Sequence, residues 1–166
     1  MNVSKASLIP GILTIGLLTA CGQDSAQEEL LDYLNGPYDE FLDMYDELSY
    51  MYDDYEDAGS QGDDEQVLEI IQTDLIPQYD EMYDHLMSLS FEEADIEALN
   101  ELLIEETNYN QEAVLAEEEA YRIVLENEES ADELFDERDD YYDLADEKLM
   151  EFDQLLNELM ETYDVE

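Results

Sequence analysis

Basic residues are almost missing from this chain of 166 residues, which has 50 Asp and Glu but only 4 Lys and Arg. The formal net charge at pH 7 is -46. Proteins that bind nucleic acid through its phosphates need a basic surface, so the composition excludes that class. It also excludes attachment to a membrane through anionic lipid headgroups. Charge complementarity therefore favours cationic partners.

The residues that build most catalytic and metal centres are scarce as well. The chain has one cysteine, one histidine and no tryptophan. A single cysteine allows no internal disulfide, and zinc or haem attachment would need more Cys and His. A di-iron helical bundle needs two Glu-x-x-His elements, and the sequence contains no such element. No serine lies in a nucleophile-elbow motif. We therefore expect no enzyme activity and no catalytic residues.

The N-terminal segment contains a short apolar run and a compact motif. The run, at residues 7–18, follows Lys5, and it is shorter than the roughly 20 apolar residues of a spanning helix. It ends in Leu18, Thr19, Ala20 and Cys21, and with this motif the segment resembles the signal peptide and lipobox of bacterial lipoproteins. The resemblance implies that signal peptidase recognises the first three of these residues and that Cys21 carries a diacylglyceryl lipid. The alternative is an ordinary secretory signal followed by a chance cysteine.

Lipidation of Cys21 implies a location. Two acyl chains anchor a protein stably, so the resemblance implies a lipid anchor at the extracytoplasmic face of the cell membrane. We expect residues 1–20 to be a cleaved signal peptide, residues 21–29 to be the lipidated cysteine and a polar tether, and residues 30–166 to be one acidic domain. The domain looks like small helical surface lipoproteins of Gram-positive bacteria. This resemblance implies a location at the cell surface and implies no particular activity.

The apolar pattern predicts helices. From Leu31 to Tyr163, apolar residues recur at alternating spacings of three and four, and no strand pattern appears. Breaks are predicted near Gly36 and at residues 58–62, and Pro77 predicts a kink. Long helices joined by short loops predict an all-α fold, an up-down-up-down four-helix bundle.

Local signals refine this prediction. Asp63 is expected to cap the second helix, and Ser90 with Glu93 has the pattern of a capping box for the third. A turn near Glu129 would then lead into the fourth helix. The 13 tyrosines lie mostly at apolar seam positions, where we expect their rings in the core and their hydroxyls reaching outward to water. The alternative is that the tyrosine-rich seams form a groove for a hydrophobic or aromatic partner.

Polar residues interrupt the apolar stripes of the last two helices. Glu106, Asn110 and Glu117 share a face with the apolar residues of the third helix, and Arg138 lies on the seam of the fourth. A hairpin turning near Glu129 would place Arg138 level with Glu117, so we predict an ion pair inside or at the edge of the bundle. Such a patch can set helix register or form a pocket for a small polar ligand or a cation.

One acidic stretch is similar to a calcium-binding loop. Residues 54–65 have Asp54 first, Glu56 third and Glu65 twelfth, as in an EF-hand. Ala58, Gln61 and Gly62 depart from that pattern. A plain acidic turn is the alternative, and Ca²⁺ is the one metal that the sequence suggests.

These observations favour a lipid-anchored, non-enzymatic surface protein that binds or scaffolds another component of the cell envelope. The alternative is a lipoprotein that binds a cation or a small ligand through the acidic loop or the buried polar patch. Acidity is spread over every segment, which favours adaptation to a saline or alkaline exterior over one cation-binding surface.

Overall fold

The computed structural model describes residues 18–127 and 130–165. Residues 1–17 of the expected signal peptide and the expected turn at Glu129 lie outside this range. The described part is all-helical and contains no strand. Its α-helices are α1 (Leu18–Leu34), α2 (Pro37–Gln61), α3 (Asp64–Ile70), α4 (Ile76–Met87), α5 (Ala94–Asn127) and α6 (Asp132–Tyr163). None of the described helices is both long enough and apolar enough to cross a membrane.

Two prolines shape the first half of the chain. The expected break near Gly36 is confirmed, because α1 ends at Leu34 and Pro37 is the first residue of α2. The disturbance expected at Pro77 is a π-helical turn, Ile71–Leu75, that joins α3 to α4. Proline donates no N–H and crowds the carbonyl four residues before it, so the preceding turn widens. Accordingly, the N–H of Ile76 donates to the carbonyl of Ile71.

The expected loop at residues 54–65 is mostly helical, which corrects the sequence interpretation. Helix α2 continues to Gln61 and ends at Gly62, whose φ of 71° lies in the left-handed region that suits glycine. Asp63 then caps α3 by accepting a hydrogen bond from the N–H of Gln66 at 3.1 Å, as predicted. The suggested calcium ligands Asp54 and Glu56 therefore lie on α2, and Glu65 lies on α3. Within the described part of the chain, no three His, Cys, Asp or Glu side chains are grouped to hold a metal ion.

Helix α1 extends into the segment that was expected to be a polar tether. The part of residues 21–29 whose side chains are described, from Ser25 onward, is helical, and it continues into the buried Leu30 and Tyr33. Ala26 is only 3% exposed. Alanine and glutamate favour helix, and Ala26 and Leu30 lie four residues apart on one face, where the helix packs against the domain.

The start of α5 also differs from the prediction. The helix begins at Ala94, and the expected cap at Ser90 is wrong. Instead, the Glu29 carboxylate of α1 accepts hydrogen bonds from the backbone N–H groups of Glu92 at 2.7 Å and Glu93 at 2.8 Å. A carboxylate from a distant helix thus satisfies donors that lie just before α5, at its positive end.

Helices α5 and α6 run antiparallel, because residue numbers rise on one as they fall on the other at successive contacts. The contacting pairs are Asp95 with Tyr163, Glu105 with Lys148, Glu117 with Arg138, and Tyr121 with Phe135.

The other neighbouring helices show the same relation. Helix α2 meets α4 through Pro37 with His85 and Tyr52 with Tyr79, and it meets α6 through Tyr38 with Phe152 and Tyr52 with Tyr142. Helix α4 meets α5 through Asp80 with Gln111 and Leu86 with Asn100. These helices enclose a core that includes Leu30, Tyr33, Phe41, Leu48, Val67, Leu75, Met82, Leu99, Leu103, Phe152 and Leu159.

Candidate ligand-binding site

A polar cleft interrupts the apolar core between α2, α4, α5 and α6. Its volume is about 380 Å³. The cleft is lined by Tyr45, Tyr52, Tyr55, Glu56, Tyr79, Asn110, Glu117, Arg138 and Tyr142, and we call it the tyrosine cleft. Three of the four residues in the predicted polar patch, Asn110, Glu117 and Arg138, line it together.

Glu117 and Arg138 form the predicted ion pair. The Arg138 Nη1 atom donates to Glu117 Oε1 at 2.8 Å, and Glu117 is 2% exposed while Arg138 is 25% exposed. The same guanidinium also donates to Asp139 Oδ1. Burial acts to lower the pKa of Arg138, but the hydrogen bonds to the two carboxylates outweigh it and raise the pKa. Arg138 is therefore a permanent cation that neutralises a buried carboxylate.

Glu117 has a second partner on α2. The Tyr55 hydroxyl donates to Glu117 Oε1 at 2.5 Å. Burial, and then this hydrogen bond, raises the pKa of Tyr55, so the hydroxyl stays protonated and keeps donating. A carboxylate with two charge-assisted hydrogen bonds from two other helices has a fixed position in the cleft.

Three tyrosine hydroxyls meet at the wall of the cleft. The Tyr52 hydroxyl lies 3.1 Å from the hydroxyls of both Tyr79 and Tyr142, which links α2 to α4 and α6. Burial raises the pKa of all three, so they act as neutral donors and acceptors. The expectation that the seam tyrosines send their hydroxyls outward to water is wrong for these three. The sequence feature that could have indicated this cluster is a tyrosine at an apolar seam position on each of three helices.

Glu106, the fourth residue of the predicted patch, lies beside the cleft. It is 3% exposed. The Asn110 amide donates to Glu106 Oε1 at 2.6 Å, and the Thr107 hydroxyl donates to Oε2 at 3.2 Å. Burial raises the pKa of Glu106 to about 7, the two hydrogen bonds oppose this rise, and the charge of Asp146 adds to it. Glu106 therefore titrates near neutral pH inside the protein.

A second cavity, of about 170 Å³, lies next to the tyrosine cleft. Its walls are Tyr38, Phe41, Leu42, Tyr45, Leu103, Glu106 and Leu149, and we call it the apolar pocket. Tyr45 lines both cavities. Glu106 is the one carboxylate in the lining of the apolar pocket. Apart from Glu106, the lining of this pocket was not predicted from the sequence, because its residues come from three helices whose register depends on the packing.

No protein-family model matches the chain, and comparisons with curated proteins and with solved structures also find no match.

Proposed function

We propose that this protein is anchored through a lipid on Cys21 at the extracytoplasmic face of the cell membrane, and that it binds or scaffolds another envelope component without catalysing a reaction. The helical domain is proposed to be an up-down-up-down four-helix bundle of α2, α3 with α4, α5 and α6. The antiparallel contacts between these helices support this arrangement.

The observation that carries the proposal is the docking of α1 on the domain from Ala26 onward, a few residues after the lipobox-like motif with which this helix begins. Ala26 and Leu30 are buried, and Glu29 holds the backbone at Glu92 and Glu93. The docked part of α1 begins within two turns of Cys21. A lipid on Cys21 would therefore hold the domain close to the bilayer, with no long flexible linker between them.

Metabolic labelling tests the anchor. We expect the wild-type chain, produced in a bacterium with a fatty acid carrying a detectable tag, to incorporate the tag and to begin at Cys21 in mass spectra. Cys21→Ser should remove the label. The double variant Cys21→Ser, Ser25→Cys keeps one cysteine but moves it out of the motif, so it should also stay unlabelled. Labelling of either variant would contradict the proposal.

The tyrosine cleft supports a second candidate function, the binding of a small organic cation. Five tyrosines line the cleft together with the carboxylates of Glu56 and Glu117. Aromatic rings attract organic cations, and a strongly acidic protein concentrates cations around itself. Glu117 is already neutralised by Arg138, whereas Glu56 is exposed at the rim. We therefore assign the recognition of the cation to Glu56 and the rings.

Titration with tetramethylammonium chloride, followed by ligand-observed NMR, tests this candidate. We expect saturable binding to the wild-type protein at constant ionic strength, and weaker binding to Glu56→Gln. Asp54→Asn is the matched control, since it removes an exposed charge from the same helix but away from the cleft lining. Equal weakening in the two variants would mean non-specific attraction and would contradict a site in the cleft.

A further inference from the structure

We propose that the apolar pocket binds an amphiphilic primary amine, with its ammonium group at the Glu106 carboxylate and its aliphatic chain among Phe41, Leu42 and Leu103. The proposal rests on the second candidate function, ligand binding inside the bundle, and extends it to the neighbouring cavity. The two cavities share Tyr45 but have different carboxylates, and the variants that test them change only residues that line one cavity, so either test can fail while the other succeeds.

The walls of the pocket determine the apolar part of the ligand. Phe41 and Leu103 are buried, and Leu149 is partly buried. Leu42 is 42% exposed and lies at the edge of the cavity, so a ligand can enter there from solvent. A cavity of about 170 Å³ with aliphatic and aromatic walls suits a short hydrocarbon chain, because burying each CH₂ group gains about 0.8 kcal/mol.

Glu106 determines the charge of the ligand. Its hydrogen bonds with Asn110 and Thr107 come from neutral groups on the same helix. The described basic side chains pair with other carboxylates: Arg122 with Glu119, Arg138 with Glu117 and Asp139, and Lys148 with Glu105 and Glu151. Glu106 is thus a buried carboxylate with no cationic partner among the described residues.

A primary ammonium group provides the cationic hydrogen-bond donor that Glu106 lacks among the described residues. A carboxylate has about four lone-pair positions, so Glu106 can accept further hydrogen bonds beside those from Asn110 and Thr107. An ammonium group brings three donors and the opposite charge. An anionic ligand would be repelled by Glu106 and by Asp146, and a neutral ligand would leave the buried charge unbalanced.

Binding should depend on pH. The groups that face Glu106 are Tyr45 of α2, Tyr79 of α4 and Asp146 of α6, besides Thr107 and Asn110 on α5 itself. None of these is cationic. Since burial raises the pKa of Glu106 to about 7, the carboxylate is mostly protonated in acid and mostly ionised in mild base. An alkylammonium ion remains charged up to about pH 10, so its affinity should rise from about pH 5.5 to about pH 8.5.

The test uses n-pentylamine as the probe and the full chain in phosphatidylcholine nanodiscs, with ligand-observed NMR at constant ionic strength. We expect saturable binding that is at least about tenfold tighter than that of methylamine, which has the charge without the chain, or of pentan-1-ol, which has the chain without the charge. Empty nanodiscs provide the correction for partitioning of the probe into lipid.

Three variants separate the parts of the site. Glu106→Gln should weaken pentylamine binding at least about tenfold at about pH 8.5, whereas Glu101→Gln, an exposed carboxylate of the same helix, should leave it unchanged. Leu42→Ala, at a partly exposed position that tolerates substitution, should weaken pentylamine binding and leave the response to methylamine unchanged. Equal affinities for pentylamine and methylamine in the wild type, or equal weakening in Glu106→Gln and Glu101→Gln, would overturn the proposal.

Discussion

Arg138 on α6 donates a hydrogen bond to Glu117 on α5 across 2.8 Å, between positions 21 residues apart. Glu117 is 2% exposed, so its charge is out of contact with water and is balanced by this one cation. The pair joins the antiparallel helices α5 and α6 at the level of the tyrosine cleft. The pair matters for stability because removing one partner leaves the other charge without its counter-charge.

Arg138→Met should destabilise the protein by about 3 kcal/mol, because it leaves the Glu117 carboxylate buried without its cation. This is the lower end of the range for buried pairs, since a quarter of the Arg138 side chain is exposed. Urea unfolding followed by circular dichroism measures the change. Arg122→Met is the matched control, because Arg122 pairs with Glu119 at the surface and should contribute less than about 1 kcal/mol. Equal losses in the two variants would contradict a buried pair.

Glu106→Gln should change how stability depends on pH. The folded protein raises the pKa of Glu106 from 4.5 to about 7, so it holds this proton more tightly than the unfolded chain does. The contribution to stability is therefore complete below about pH 4.5, and it is lost as pH rises through about 7. The loss amounts to about 3 kcal/mol. Glutamine stays neutral, so the variant should become more stable than the wild type at about pH 8 and should approach it near pH 5.

Urea unfolding at a series of pH values measures this difference. Glu101→Gln, which removes an exposed carboxylate from the same helix, is the matched control for the loss of one negative charge. If the difference between Glu106→Gln and the wild type were the same at pH 5 and pH 8, Glu106 would not titrate in the folded protein within this range.

The Glu117–Arg138 pair could be predicted from the sequence for a physical reason. Both residues interrupt apolar stripes, and one hairpin joins their helices, so the spacing to the turn determines which residues are level. The contacts of the Tyr52 hydroxyl with the hydroxyls of Tyr79 and Tyr142 could not be predicted in this way. These contacts depend on how three helices are rotated relative to one another. Side-chain packing determines that rotation, and the spacing of apolar residues within any one helix does not indicate it.

The start of α1 and the end of α2 could not be predicted, for a different reason. Gly59 and Ser60 suggested a loop, yet α2 continues to Gln61, because tertiary packing of Ala58 outweighs their low helix propensity. Around Glu29 the sequence is polar, with Ala26 as the one small apolar contact before Leu30. Helix α1 docks through the Glu29 carboxylate, which accepts hydrogen bonds from backbone N–H groups 63 and 64 residues away. A local sequence pattern cannot predict a contact between residues so far apart in the chain.

Glu29→Ala should release α1 from the domain. The variant loses the hydrogen bonds to the N–H groups of Glu92 and Glu93, and we expect a cost of about 1–2 kcal/mol, similar to the loss of a helix cap. Hydrogen exchange measured by mass spectrometry should show faster exchange in residues 25–34 and at the start of α5, with little change in α3. Glu28→Ala, at an exposed neighbouring position, is the control. Unchanged protection of α1 in Glu29→Ala would show that the apolar contacts of Ala26 and Leu30 suffice for docking.

Sodium chloride should stabilise this protein strongly. At a formal net charge of -46, folding brings like charges together, and the repulsion opposes the compact state. Salt shortens the Debye length from about 10 Å at 0.1 M to about 3 Å at 1 M, so the thermal unfolding midpoint should rise over this range. Calcium chloride at matched ionic strength is the control, because screening by itself predicts a similar rise. A larger rise that saturates at millimolar CaCl₂ would instead require a discrete cation site.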